Sequence, residues 1–457
     1  MGADRSRLPD VGADPTFTFP TIVRHTLPNG LAVRTIEHHS VPIVTFTLQI
    51  EGGSGADGPG QEGLSAVVAD MADEGTGSMT AIDVSDALSR IGADYDVDVG
   101  ADATVFTLTT LTRFAERGAS LLSDLTVRPS LRDDDFNRIR QLRLDRLKQL
   151  KDSAPATAER AFLRLVYGSH PYGHLAIGAD AALRSLSLDD VRSFHAQRFQ
   201  PARATLVIAG ALSHQQLLDT AVRFREWETV PSLASDRGPA SSVAPPVQPG
   251  ARLAVVPRDG AAQSELRLGH LAAKRSTPDY PSLVVMNAVL GGQFASRINL
   301  KLREEKAFTY GARTGFDWHR GLSPFVLQAS VHTAATAESI ADSINEIEGI
   351  RGSRPPTTDE LALAKASLTR GYPRNFETTQ QVARSVAQLA LHDLPDTYFA
   401  EFVPKINAVT GADITRAAAA YLDTSKLATL IVGDHSAIAD SLPALGLGDA
   451  RVLPLEL

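Results

Sequence analysis

Short apolar runs separated by turn residues open the chain. Residues 31–36 and 43–50 carry Leu, Val, Ile and Phe at the spacing of strands, and the Pro28-Asn29-Gly30 segment before them is a turn signal, because Asn and Gly accept the backbone angles of a tight reversal. Apolar residues three and four apart predict helices over 63–71, 81–91 and 136–150, while 104–111 alternates as a strand. A further helical run opens at Leu188 and lasts through Phe199, followed at 204–210 by ATLVIAG, an unbroken apolar run expected of a buried strand. The same order returns later: a helical run from Gly411 through Leu422, then the strand-like ATLIVG at 428–433. The spacing within the two pairs is nearly constant, which predicts two homologous domains of about 200 residues each. Between them, residues 232–250 are dense in Pro, Ser, Ala and Gly without any hydrophobic period and read as a linker. The expected organisation is an extension at 1–20, a first domain at 21–231, the linker, and a second domain at 251–457. Strands and helices mix without strict βαβ alternation, so the expected class is α+β, each domain a largely antiparallel sheet packed with helices.

Composition narrows the function more than the fold. With 43% hydrophobic and 21% charged residues over 457 positions, the chain has enough apolar content for more than one core. The formal charge of -8, with Lys and Arg scattered along helices, argues against nucleic-acid binding. The absence of cysteine removes disulfides, thiolate metal sites and a cysteine nucleophile together. No run is long and apolar enough to predict a membrane span. The first twenty residues lack the apolar stretch of a secretory signal, so the expectation is a cytoplasmic protein as the sequence stands, periplasmic if a leader has been removed.

Five segments, in order, resemble the pitrilysin or insulinase family of zinc peptidases, which includes the mitochondrial processing peptidase and its paired bacterial relatives. They are Leu27-Pro-Asn-Gly-Leu31, Gly52-Gly-Ser54, Glu62-Gly-Leu64, His170-Pro-Tyr-Gly173, and the run from Leu302 to Gly311 (LREEKAFTYG). The resemblance spans nearly the whole chain. It implies a clamshell half and, on the helix after Glu62-Gly-Leu64, an inverted zinc motif, His-x-x-Glu-His. Two histidines four apart can grip one zinc ion, and the glutamate can deprotonate a metal-bound water. This chain departs from the motif: Ala66 stands at the first histidine, Ala69 at the base and Asp70 at the second histidine. The third family ligand, a glutamate some way downstream, should fall near 145–147, where Arg146 is the best match and cannot ligate zinc. The expectation is a chain with no metal site and no catalytic residue of its own.

What the resemblance keeps is an arginine and a tyrosine in the second half, here Arg303 and Tyr310, which in single-chain relatives reach substrate beside the metal from the half without zinc. A guanidinium and a phenol hydroxyl can hydrogen-bond a substrate backbone and the oxyanion formed during peptide hydrolysis. The implied function is the non-catalytic subunit of a heterodimer, closing with a zinc-bearing homologue around peptide substrates; the zinc is expected in that partner. The alternative is a purely structural subunit. The Gly291-Gly292 pair fits either a close passage of substrate backbone or an ordinary helix-ending turn. Asp70, Asp73 and Glu74 share a helix face and could hold a hard cation or form a solvated acidic edge. His38 and His39 would point to opposite faces of an extended stretch, and His170 and His174 flank a turn that suits structural hydrogen bonding.

Overall fold

A computed structural model of the chain describes residues 17–228, 242–245 and 249–454. Six strands, β1 Ile22–Thr26, β2 Ala32–Glu37, β3 Ile43–Glu51, β4 Asp94–Val99, β5 Ala103–Leu111 and β6 Ala204–Gly210, form one sheet in the order β1-β2-β6-β3-β5-β4. Six more, β7 Leu253–Pro257, β8 Gln263–Ala273, β9 Thr309–Phe316, β10 Ser323–His332, β11 Ala428–Gly433 and β12 Arg451–Val452, form a second in the order β12-β7-β11-β8-β10-β9. Without β1 and β12 the two orders are identical. In each, one parallel pair (β2 with β6, β7 with β11) sits beside antiparallel neighbours. This is the α+β fold of two homologous units that the repeated helix-strand order predicts. The outer strand differs because β1 precedes β2 and runs antiparallel to it, whereas β12 comes from the end of the chain and runs parallel to β7.

The predicted strands and helices in the first half appear within a few residues of their expected ends, among them the helices Leu64–Asp70, Ala81–Arg90, Asp133–Lys151 and Leu188–Arg198. Pro28-Asn29-Gly30 makes the β1–β2 turn, with the Gly30 N–H donating to Leu27 O at 2.9 Å and a Gly30 φ of 89°. Strand β1 itself was not legible: none of the five residues of this edge strand is buried, and its pattern is weak.

The unbroken apolar runs of β6 and β11 have a specific cause. Leu206 and Ile208 of β6 point into the first half's own core, while Val207 and Ala209 meet Val382 and Val386 of the helix Thr379–Leu391, which belongs to the second half. In return, the helix Ala154–Tyr167 of the first half lays Phe162, Leu165 and Val166 on Leu430 and Val432 of β11. Each sheet therefore has its second face closed by a helix from the other half. Residues 21–231 and 251–457 remain a proposal for the two units, since the apolar contacts cross that division; most of the expected linker, and residues 1–16 of the expected extension, lie outside the described residues.

Candidate functional site

Helix Leu64–Asp70 is fixed from its first turn. The buried Asp57 carboxylate accepts the N–H groups of Gly63 and Ser65, both at 2.7 Å, satisfying donors that a helix start leaves without partners and placing negative charge at the positive end of the helix dipole. His174 Nε2 lies 3.2 Å from the same carboxylate. Gly63 has a φ of +104°, and a Cβ there would come within 2.8 Å of Gly178 Cα, so both backbone angle and close approach require glycine. The Glu62-Gly-Leu64 segment is thus a packing motif in this chain.

On that helix, Ala66 and Ala69 are buried at 1% and 0% exposure and offer methyl groups alone. Asp70 accepts a hydrogen bond from Arg143 Nε at 2.7 Å, and the same guanidinium donates to Ala66 O at 3.1 Å and Ala176 O at 3.3 Å. Burial pushes the Asp70 carboxyl up and the Arg143 charge pulls it back. A zinc site needs three or four imidazole, thiolate or carboxylate donors at about 2.0–2.3 Å. Two methyl groups and a carboxylate committed to a guanidinium do not fit that ion, and no group of three His, Cys, Asp or Glu side chains among the described residues has metal-binding geometry.

Arg146 is not the residue that meets this helix. Its exposed side chain donates to Gln149 Oε1 at 3.3 Å on its own helix, Asp133–Lys151, whose face toward the core is set by Leu144 and Leu147. Arg143, one turn earlier, is the residue of this helix that meets Asp70 and Ala66. A count along the sequence fixes such a position only to within a turn, and the three-residue offset rotates the side chain by about 60° around the helix.

The acidic edge is largely neutralised. Glu74 pairs with Arg138 and Asp70 with Arg143, while burial, with the Glu74 and Asp70 charges adding to it, raises the Asp73 carboxyl to about 6. That leaves no open carboxylate set for a hard cation. His170 accepts the Tyr172 N–H at Nδ1, 3.1 Å away, with its Nε2 3.1 Å from Val243 O. The Tyr172 hydroxyl donates to Asp102, whose other oxygen accepts the Arg320 N–H at 2.8 Å, so the His170-Pro-Tyr-Gly173 segment ties the two halves together. His38 bonds Ser40 and His39 lies 3.1 Å from Glu37, each at the surface and apart.

Arg303 and Tyr310 lie in adjoining elements of the second half. Arg303 is on the wide-turned helical segment Leu300–Glu305, its guanidinium 4.5 Å above the Phe294 ring and 3.4 Å from Glu304. The chain then folds back, the Ala307 and Phe308 N–H groups donating to Arg303 O and Leu302 O, and enters β9 at Thr309. Tyr310 is 89% exposed, Phe294 60%. Among the described residues β9 pairs only with β10, and β4 only with β5, so each is an edge strand of its sheet. The Gly291-Gly292 pair serves local packing: a Cβ on Gly291 would come within 2.5 Å of Thr314 Oγ1, and one on Gly292 within 2.5 Å of Asn287 Nδ2. The space beside these glycines is filled by the chain's own β9 and helix end.

Known proteins carry the same two-part design. Residues 32–179 match the family described as Insulinase (Peptidase family M16), and residues 185–368 match Peptidase M16 inactive domain. An uncharacterized zinc protease of Mycobacterium bovis is 24% identical over 442 residues, 95% of each chain, and the zinc protease PqqE of Helicobacter pylori is 22% identical over 360 residues, 78% of this chain and 81% of that protein. Among solved structures, the peptidase M16 inactive domain from Pseudomonas fluorescens superposes with a TM-score of 0.83 at 21% identity, covering 90% of this chain and 98% of its own. A protease from Helicobacter pylori gives 0.82 at 20%, covering 91% and 100%. Two matched regions in series, a shared fold across nine-tenths of the chain and motif segments in the family's order make this chain a member of the insulinase, or pitrilysin, family of peptidases.

Proposed function

We propose that this chain is the non-catalytic subunit of a two-chain zinc peptidase, in which a zinc-bearing homologue supplies the metal and the base. This chain contributes one wall of an enclosed chamber, a free strand edge along which an extended peptide adds backbone hydrogen bonds, and the side chains of Arg303 and Tyr310. The observation that carries this reading is the exposure of Tyr310 beside the free edge of β9, with the Arg303 guanidinium held over Phe294 next to it. An exposed phenol on an edge strand adds nothing to the core, whereas a tyrosine hydroxyl and a guanidinium can hold a peptide carbonyl and the negative charge it gains during hydrolysis. Peptides or unfolded segments small enough to be enclosed are the substrate class.

The test is kcat/KM on a peptide that the assembled pair cleaves. Arg303→Ala is expected to lower it by a factor of about 10² to 10³, as loss of one oxyanion donor does elsewhere, with assembly and the partner's zinc content unchanged. Tyr310→Phe acts in the same direction but less, since it removes one hydroxyl and keeps the ring. The double variant falls short of the product of the two effects if both groups hold one substrate. Wild-type kcat/KM in both single variants within an intact complex would replace this reading with that of a structural subunit.

A further inference from the structure

A cavity of about 840 Å³ lies away from Arg303 and Tyr310, between the exchanged helix Ala154–Tyr167, the loop that follows it and the segment around β12. Its ionisable lining is mostly cationic: Arg160, Arg164 and Arg451 line it with His174, whose Nε2 lies 3.2 Å from Asp57, and a single carboxylate residue, Glu62, which already accepts the Gly60 N–H at 3.3 Å. Arg160 is the informative member. Its Nη1 is buried from solvent and has no hydrogen-bond partner among the described residues. Burial works against its charged form, and the neighbouring Glu159 pulls only weakly the other way. Arg451 reaches the carbonyl of Gly250 at 3.5 Å, and among the described residues none of the three forms an ion pair with a carboxylate. Leu165 and Leu453 provide apolar wall between them.

Arg160 is partly buried, so its charge is poorly solvated and lacks a carboxylate partner among the described residues, and a guanidinium is the side chain best shaped to hold a carboxylate or phosphate through two parallel hydrogen bonds. The volume is that of a small-molecule pocket. We propose that this cavity binds a small anionic molecule, an apolar body carrying a carboxylate or phosphate head, with the head on Arg160 and Arg164 and the body against Leu165 and Leu453. The site is separate from the proposed peptide-binding residues and stands without them.

Isothermal titration of the full chain with hexanoate, hexyl phosphate, inorganic phosphate and hexylammonium tests this. At least one of the two hexyl anions is expected to bind once per chain and raise the melting temperature; hexanoate against hexyl phosphate tells which head the site prefers, and inorganic phosphate how much the apolar body adds. Hexylammonium is expected not to bind. Arg160→Met weakens the anion by at least about tenfold, a difference titration resolves easily. Without ligand, that variant should melt no lower than the wild type, because it removes a partly buried charge that forms no ion pair among the described residues. Saturable binding of no anion, equal binding of hexylammonium, or unchanged affinity in Arg160→Met overturns the proposal. If Arg160→Met does not fold, Arg164→Gln, altered at an exposed side chain, decides: wild-type affinity there overturns it as well.

Discussion

Where the family's zinc would be gripped, Asp70 and Arg143 form an ion pair 2.7 Å apart, and the guanidinium is held in place by the carbonyls of Ala66 and Ala176. A cation built into the site repels a second cation. Restoring the helix alone, with Ala66→His, Ala69→Glu and Asp70→His, is therefore expected to give weak zinc binding, and adding Arg143→Glu to tighten it by at least about tenfold, which competition against a chromophoric chelator reads directly. Equal affinity with and without the Arg143 change would show that this residue does not stand in the ligand position. Asp73 gives a prediction in pH. Its carboxyl is raised from 3.8 to about 6, chiefly by burial, so the fold favours the protonated form; the stability this contributes is complete below pH 3.8 and lost as pH rises through about 6. Asp73→Asn is expected to raise stability at pH 8 by about 1 kcal/mol, allowing for partial solvent screening, and to change it little at pH 3.5. Thermal melts at the two pH values check the sign.

The elements that decide the architecture are the two exchanged helices. Thr379–Leu391 opens with a Thr378–Gln381 capping box and places Val382, Val386 and Leu389 in a cluster with Ile36, Val207 and Ala209 of the first sheet. Leu389 is 1% exposed, so Leu389→Ala is expected to cost about 2–5 kcal/mol, the range for a leucine lost from a packed core. The two tryptophans locate the damage, because Trp227 lies in the first half's core and Trp318 packs against the second. In a Trp318→Phe background, the urea midpoint reported by Trp227 should fall with Leu389→Ala even though Leu389 is a second-half residue. A Trp227 signal indifferent to that change would mean that the helix is not holding the first sheet.

For the molecule as a whole, the exchange makes each half incomplete. Separated at the linker, the first half would expose the face formed by Ile36, Val207 and Ala209, and the second that of Ala254, Val256, Leu430 and Val432. Tyr167 adds a polar tie, its hydroxyl donating to Leu322 O at 2.6 Å, beside the Tyr172–Asp102–Arg320 chain. Trp227 and Trp318 are therefore expected to report one coincident unfolding transition. Two separated midpoints would show that the halves fold as independent units.

The sequence by itself determined the strands and helices whose hydrophobic period is strong, the repeat of helix and strand in the two halves, and the absence of any metal-donating side chain at Ala66 and Ala69. These depend on residue type and local spacing, which the chain states directly. It also marked β6 and β11 as buried on both faces, since ATLVIAG and ATLIVG leave no polar side. Only the tertiary structure decided what buries them: apolar content says that a face is covered, and nothing in it names as the cover a helix about 170 residues away for β6 or about 260 residues away for β11. The choice of Arg143 over Arg146 was equally out of reach, because the rotation of a helix about its axis is fixed by the core it packs on, here through Leu144 and Leu147. The unpaired Arg160 belongs with these, since a charge is partnered or alone only once distant segments have closed around it.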